Sequence, residues 1–433
     1  MVTRQHACLR RLADGRSQQV QFGRWLANDK VTPEALLANA YVRTAAAAGR
    51  HVLAIQDTSE LNYQAHAGRV RGLGTVGNGS DAGMFIHPLL AVDAEDGVCL
   101  GLAHLYQWNR MTKANPDYQR LPIEDKESYR WLKVAQAGKQ CLREAALVTV
   151  VADRESDIYE EWARLPDERT HLLTRACSDR KLAAGGKLYA WLDAQPVQGQ
   201  HECDVPARPG KRSAHRARLS VRFGRVAIKR PQNCSDPNAP ERIELSVIEV
   251  KELPDSVIGE EEPIHWRLLT THRITCLEQA LRCVDWYRQR WHIEQLFRTL
   301  KKQGLKIESS QVETAEGLGK LACLAVQAAV RILQLTLARD GGNDAKASHV
   351  FDQPERQVLR RILPSLEGKT QKQKNPHQPD TLAHAAWVVA RLGGWKGYAS
   401  EAKPGPITMR HGLQRLETMC AAWRLFRGEK CTD

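Results

Sequence analysis

The chain has 433 residues, 42% of them hydrophobic, and 63 Lys and Arg against 50 Asp and Glu, for a formal net charge of +13. That length supports two or three domains with a real core, and the positive balance favours an anionic partner, nucleic acid before membrane. The basic charge is spread along the chain, which argues against a disordered basic arm.

Eleven cysteines contain no CxxC and no Cys/His pair at zinc spacing. They fall singly inside apolar runs, as Cys323 does in "CLAVQAAV", which suits reduced, buried thiols in a cytoplasm. Arg4, Arg10 and Arg11 precede no apolar stretch, so no signal peptide is evident. The most apolar run, Leu321 to Ala338, is broken by Gln327, Arg331 and Gln334. It predicts a buried or partner-facing helix, and no membrane span is expected.

Residues 1–49 read as helical. "HVLAIQD" is a short buried strand ending on Asp57, followed by a Gly-rich loop from Gly68 to Gly83. "MFIHPLLAVDAEDG" and "VCLGLAHLYQW" are two strands joined as a hairpin at Asp93–Gly97. "KESYRWLKVAQAGKQCLREA" is an amphipathic helix, and "LVTVVAD" a second buried strand, ending on Asp153. "SDIYEEWARL" is a helix capped by Ser156 or Asp157, and "THLLTRA" a further strand. Continuous apolar strands between helices imply an α/β unit whose sheet is covered on both faces.

From about Leu182 to His265 the pattern alternates with period two, in "ARLSVRFGRVAIKRP" and "ERIELSVIEVKEL". This predicts a β-rich insertion with a basic first hairpin carrying Arg208, Lys211, Arg212, Arg216, Arg218, Arg222, Arg225, Lys229 and Arg230. Such a face is either a solvated surface or a phosphate contact. "WRLLTTH" is a last strand, and Tyr287 to Gly304 reads as one long helix with Gly304 at its stop. "TLAHAAWVVARLGGW" and "ITMRHGLQRLETMCAAWRLF" predict a small helical C-terminal domain.

On an unbroken helix at about 100° per residue, Tyr287, Arg290, Glu294 and Lys301 share a stripe about 60° wide. A solvated face with i,i+4 ion pairs would explain that stripe. The aspartates change its meaning. Asp57 and Asp153 at two strand ends and Glu294 on a helix are three carboxylates from distant segments, as two-metal phosphoryl transfer requires, with ions roughly 3.5–4 Å apart. Tyr287, Arg290 and Lys301 are then donors suited to a DNA phosphate beside the metals.

The spacing Y-x2-R-x3-E-x6-K, met by Tyr287, Arg290, Glu294 and Lys301, comes with "QDTSELNY" and "ADRESDIYE" in order before it. In these motifs the chain resembles the DDE transposases of bacterial insertion sequences, in the group bearing the YREK signature (insertion-sequence family four). The resemblance runs from about Phe22 to the C-terminus, through the "PGPITM" segment. It implies a ribonuclease-H-like catalytic domain over 50–340, interrupted by the β-rich insertion at about 182–265, and a helical dimerisation domain over 341–433. Residues 1–49 would be a shortened remnant of the end-recognition domain, carrying Arg4, Arg10, Arg11 and Arg16.

By the same resemblance Asp57, Asp153 and Glu294 bind two Mg²⁺ ions, with Mn²⁺ as a substitute. Tyr287, Arg290 and Lys301 hold phosphates, and Trp266 stacks a flipped base, although Trp266 also reads as a core aromatic. The partners implied are double-stranded DNA, as transposon ends and target, and a second copy of the chain. The chemistry implied is cut-and-paste transposition: end cleavage, a hairpin intermediate and strand transfer. Two other readings stay open, a non-transposing nuclease on the same scaffold and a regulator that dimerises with a full-length transposase and poisons it.

Overall fold

The computed structural model describes residues 6–45, 47–110, 118, 121–205, 207, 212–343, 345–398 and 400–426. The basic residues Arg4, Arg208 and Lys211 lie outside them.

The chain opens with helices α1 (Leu9–Leu12), α2 (Arg16–Leu26) and α3 (Pro33–Ala45). Strands β1 (His51–Gln56), β2 (Ser59–Asn62), β3 (Gly74–Val76), β4 (Asp81–Asp93) and β5 (Cys99–Trp108) follow. Next come α4 (Tyr129–Cys141), β6 (Leu147–Ala152), α5 (Tyr159–Arg164), β7 (Thr170–Arg175) and α6 (Leu188–Asp193). Strands β8 (Gly199–Val205), β9 (His215–Lys229), β10 (Arg242–Glu252) and β11 (His265–Thr270) lead into α7 (Leu277–Gln289) and α8 (Trp291–Lys301). The chain closes with α9 (Ala315–Ala338), α10 (Gln353–Leu366), α11 (Leu382–Leu392) and α12 (Pro406–Phe426). This is a mixed α/β protein with an extensive mixed sheet.

The chain divides into two compact units. One joins Gly49–Asp57 to Thr112–Arg290; the other joins Met1–Ala48, Thr58–Met111 and Trp291–Asp433. In the first, the sheet unit, strands run β1-β6-β7-β11-β10-β9-β8. The pairs β1–β6 and β6–β7 are parallel, and β11 turns the sheet antiparallel from there on. Strands β8 to β10, expected as an insertion, therefore continue the same sheet through β11. In β1, Val52, Leu53, Ala54 and Ile55 are all buried, as are Val148, Val150, Val151 and Ala152 in β6. Burial on both faces is why these strands read as unbroken apolar runs, at about 1.5–3 kcal/mol for each large aliphatic side chain. Helix α4, with Trp131, Leu132, Val134 and Ala135 buried, packs on β1, and α7 packs on β6, β7 and β9.

In the second unit β4 pairs with β2, β3 and β5, and the β4–β5 hairpin turns at Gly97, whose φ of 70° lies in the left-handed region. Helix α9 is the core helix of this unit and packs on α2, α3, α8, α11, α12 and β5. It is long and apolar enough to cross a membrane, but 72% of its apolar window is buried inside the protein. Helices α11 and α12 meet backbone to backbone, because a Cβ on Gly412 would stand 1.8 Å from the Val389 carbonyl oxygen.

Three expectations are corrected. The long helix from Tyr287 is two helices, α7 and α8, separated by Arg290, whose amide bonds the Tyr287 carbonyl three residues back at 3.1 Å, a tighter turn than the α-helix. Neither Ser156 nor Asp157 caps α5. Its N-cap is Ile158, while Ser156 bonds Glu161, and Asp157 accepts from the amides of Cys177 and Ser178 and from Arg180. The described thiols are not uniformly buried either: Cys177 and Cys276 are exposed.

Candidate active site

Strands β1 and β6 end at Gln56 and Ala152, one residue short of Asp57 and Asp153. Their parallel register runs as far as the pair Ile55 with Val151, so Asp57 and Asp153 each stand two residues past the last pair, at the same end of two adjoining strands. On the other side of β6, Ala152 pairs with Thr174 of β7. Arg175 is the next and last residue of β7, so three adjoining parallel strands carry Asp, Asp and Arg at or one residue past their C-terminal ends. Open α/β sheets bind ligands at that end.

Each member of the row has defined partners. Asp153 accepts from the Glu155 amide at 2.8 Å, opening the turn Arg154–Ser156. Asp57 Oδ2 accepts from Arg290 Nη1 at 2.7 Å, and both side chains are largely buried, 15% and 17% exposed. Arg175 pairs across to Leu268 of β11 and donates to the His265 carbonyl at 3.1 Å.

Tyr287 on α7 is buried, and its ring meets Trp266 of β11 nearly edge-on, with centroids 5.5 Å apart and 64° between the planes. Burial pushes the Tyr287 phenol up, Arg290 and Arg175 pull it back, and Asp153 adds to the rise. The hydroxyl is thus within electrostatic reach of all three. Trp266 is half-buried rather than part of the core. Its neighbours His265 and Arg267, on the opposite face of the strand, converge with Arg222 on the buried Glu249 at 2.8–2.9 Å. That network holds the carboxyl of Glu249 below its usual range against the effect of burial, chiefly by the bond from His265.

The structure therefore brings together Asp57, Asp153, Tyr287, Arg290 and Trp266 within the sheet unit. Glu294 and Lys301 lie on α8, in the other unit. Glu294 is half-buried in the first turn of α8, and Lys301 at its end lies 3.7 Å from Glu308.

Two carboxylates just past the ends of adjoining parallel strands suit a hard divalent cation, which takes oxygen donors. Among the described residues no group of three or more His, Cys, Asp or Glu side chains stands ready around one point. In this state Asp57 is instead neutralised by Arg290.

Arg175 was not singled out in the sequence. The signal was present, because "THLLTR" is an apolar strand ending on a charge, like the two ending on aspartate. Many of the arginines of β9 already have partners. Arg216 pairs with Glu202 at 2.9 Å, Arg222 with Glu249 at 2.8 Å, Arg225 with Glu244 at 3.5 Å, and Arg218 with Asp255. Carboxylates on β8, β10 and the following turn thus neutralise four of the strand's arginines.

Among solved structures, the chain is similar to a piggyBac transposase in a synaptic complex with hairpin DNA. The identity is 12%, over 76% of this chain and 69% of that one, with a TM-score of 0.33, a likeness too slight to bear on fold or mechanism. The segment 135–330, which holds Asp153, Trp266, Tyr287, Arg290, Glu294 and Lys301, matches the family model described as "Transposase DDE domain" and supports a DDE-type DNA transposase.

Proposed function

We propose that this chain is a cut-and-paste DNA transposase of the YREK insertion-sequence type, with a ribonuclease-H-like catalytic core that works as a homodimer on double-stranded transposon ends. The observation that carries the reading is the row of Asp57, Asp153 and Arg175 at the ends of three parallel strands, with Arg290 and Tyr287 beside it. Acidic and basic groups in one row suit a site that must hold cations and phosphate together.

Asp57, Asp153 and Glu294 would hold the metal. The chemistry supplied by two bound Mg²⁺ ions, with Mn²⁺ as a substitute, is activation of the attacking oxygen and stabilisation of the leaving one. Arg290 has two alternative anions, the Asp57 carboxylate it now pairs with and a backbone phosphate, and would serve the phosphate wherever Asp57 served a metal. Arg175, Tyr287 and Lys301 donate to phosphate oxygens. Trp266, braced edge-on by Tyr287, offers a face for an unstacked base, worth roughly 1–3 kcal/mol, which offsets much of the few kcal/mol needed to extrude it during hairpin formation.

The test is incubation of the protein and Mg²⁺ with the DNA that flanks its own gene. Blunt double-strand breaks at the element boundaries, preceded by hairpin-ended fragments, support the reading. Intact DNA under conditions where the protein binds it removes the transposase reading.

A further inference from the structure

Glu161, on α5, has none of its surface exposed and reaches toward both aspartates' chain segments. Its Oε1 accepts from Gln56 Nε2 at 3.3 Å, and its Oε2 bonds the Ser156 hydroxyl at 2.6 Å. Gln56 and Ser156 are themselves fully buried. Gln56 is the last residue of β1, directly before Asp57. Ser156 closes the turn that Asp153 opens, its amide bonding the Asp153 carbonyl at 3.2 Å. One side chain therefore spans from the strand end carrying the first aspartate to the turn carrying the second.

A buried acid is costly unless its bonds are satisfied, and cations are its usual partners. Here both hydrogen-bond partners are neutral, and burial pushes the Glu161 carboxyl up to about 8, with Ser156, Gln56 and Asp157 as smaller influences. Such a placement adds little to stability that an apolar side chain could not supply. It does occupy the point where the parallel ladder gives out, since the last β1–β6 register pair is Ile55 with Val151, two residues short of the aspartates.

We propose that Glu161 is a positioning residue that clamps the end of β1 to the turn after β6 and so keeps Asp57 and Asp153 side by side. The inference rests on the reading of those aspartates as catalytic. Glu161 touches neither substrate nor metal. It replaces the ladder bonds that are missing beyond Ile55. Its neutral isostere, Gln, keeps an acceptor for Gln56 and gains a donor for Ser156, whereas Ala keeps neither.

The experiment compares full-length wild type, Glu161→Ala, Glu161→Gln and Ser156→Ala. Amide hydrogen exchange is measured without metal or DNA, and cleavage of end DNA is measured with Mg²⁺. Expected in Glu161→Ala is faster exchange confined to segments 55–58 and 153–157, together with a cleavage rate lower by about 10²-fold, the scale of an ångström-level misplacement. Low-salt DNA binding stays at the wild-type level. Glu161→Gln restores both readouts, and Ser156→Ala, which cuts one tie only, falls between and stands in for the Ala variant if that one does not fold. Wild-type exchange in both segments of the Ala variant overturns the clamp, as does a Gln variant as impaired as the Ala variant. Failure of the underlying reading shows separately: an Asp57→Ala protein that still cleaves sinks the catalytic assignment, whereas the exchange measurements report on the clamp without any reaction.

Discussion

Arg290 donates to Asp57 at 2.7 Å across 233 residues of sequence, and the two side chains are about equally buried. On the proposal that Asp57 holds a cation, metal and Arg290 compete for its carboxylate. Arg290→Ala should therefore destabilise the metal-free protein by about 1.5–3 kcal/mol, the range for a hydrogen bond to a charged group. Divalent ions should recover more stability in the variant than in wild type, because binding to the native state alone adds RT ln(1 + [L]/Kd). Urea midpoints with and without Mn²⁺ measure both. Equal Mn²⁺ stabilisation of the two proteins would show that Arg290 does not gate the site.

Trp266 and Tyr287 meet edge-on beside the aspartate row. Trp266→Ala is expected to slow hairpin formation or opening much more than first-strand nicking, since only the hairpin steps need an unstacked base. The stacking of one base is worth roughly 1–3 kcal/mol, a factor of about 5 to 150 in rate. Gel assays that separate nicked, hairpin and blunt products give the ratio. An equal loss at both steps returns Trp266 to a packing role.

What was legible in the sequence, and what was not, follows from the range of the forces involved. Apolar runs such as "HVLAIQ" and "LVTVVA" announce buried parallel strands, because burial on both faces leaves no polar alternation, and each is followed by its aspartate. The hairpin at Gly97 was equally plain, since turn chemistry is local. Contacts between remote segments left no such mark. The bond from Arg290 to Asp57, the clamp from Glu161 to Gln56 and the pairing of β9 arginines with Glu202, Glu244 and Glu249 all depend on register. The break between α7 and α8 was hidden because Arg290 carries neither the ring of Pro nor the freedom of Gly, and stays in the right-handed helical region.

The pairing along β9 bears on DNA affinity. An arginine already held by a carboxylate gains less from a phosphate, so Arg216→Ala and Arg225→Ala should each change the slope of log K against log salt by well under the roughly 0.9 per contact expected for B-DNA. Titration of labelled duplex from about 50 to 200 mM salt measures the slope. A drop of about 0.9 for either variant would place that arginine on a phosphate in the complex.

Acid should weaken the sheet unit through its histidines. Thr149 Oγ1 bonds His51 Nε2 at 2.8 Å and His272 Nε2 at 2.7 Å, and His272 stacks on His171 with centroids 4.0 Å apart. Burial, then the neighbouring His171 and His51, pulls His272 down to about 3, and burial also lowers His171. The folded protein thus binds fewer protons than the unfolded chain between about pH 6.5 and 3, so stability falls as pH drops through 6.5. Between pH 7 and 5 the loss is up to about 2 kcal/mol for each such histidine. His272→Asn should narrow the gap between urea midpoints at the two pH values, and an unchanged gap would contradict this.

The most direct test of the account is cleavage of end DNA by Asp57→Ala, Asp153→Ala and Glu294→Ala in Mg²⁺, with DNA binding and thermal stability measured on the same preparations. The account predicts that all three lose cleavage while still binding DNA and folding, Asp57→Ala with a lowered stability because it leaves Arg290 without the carboxylate it now pairs with. Near-normal cleavage by any one of them would contradict its place in the catalytic set.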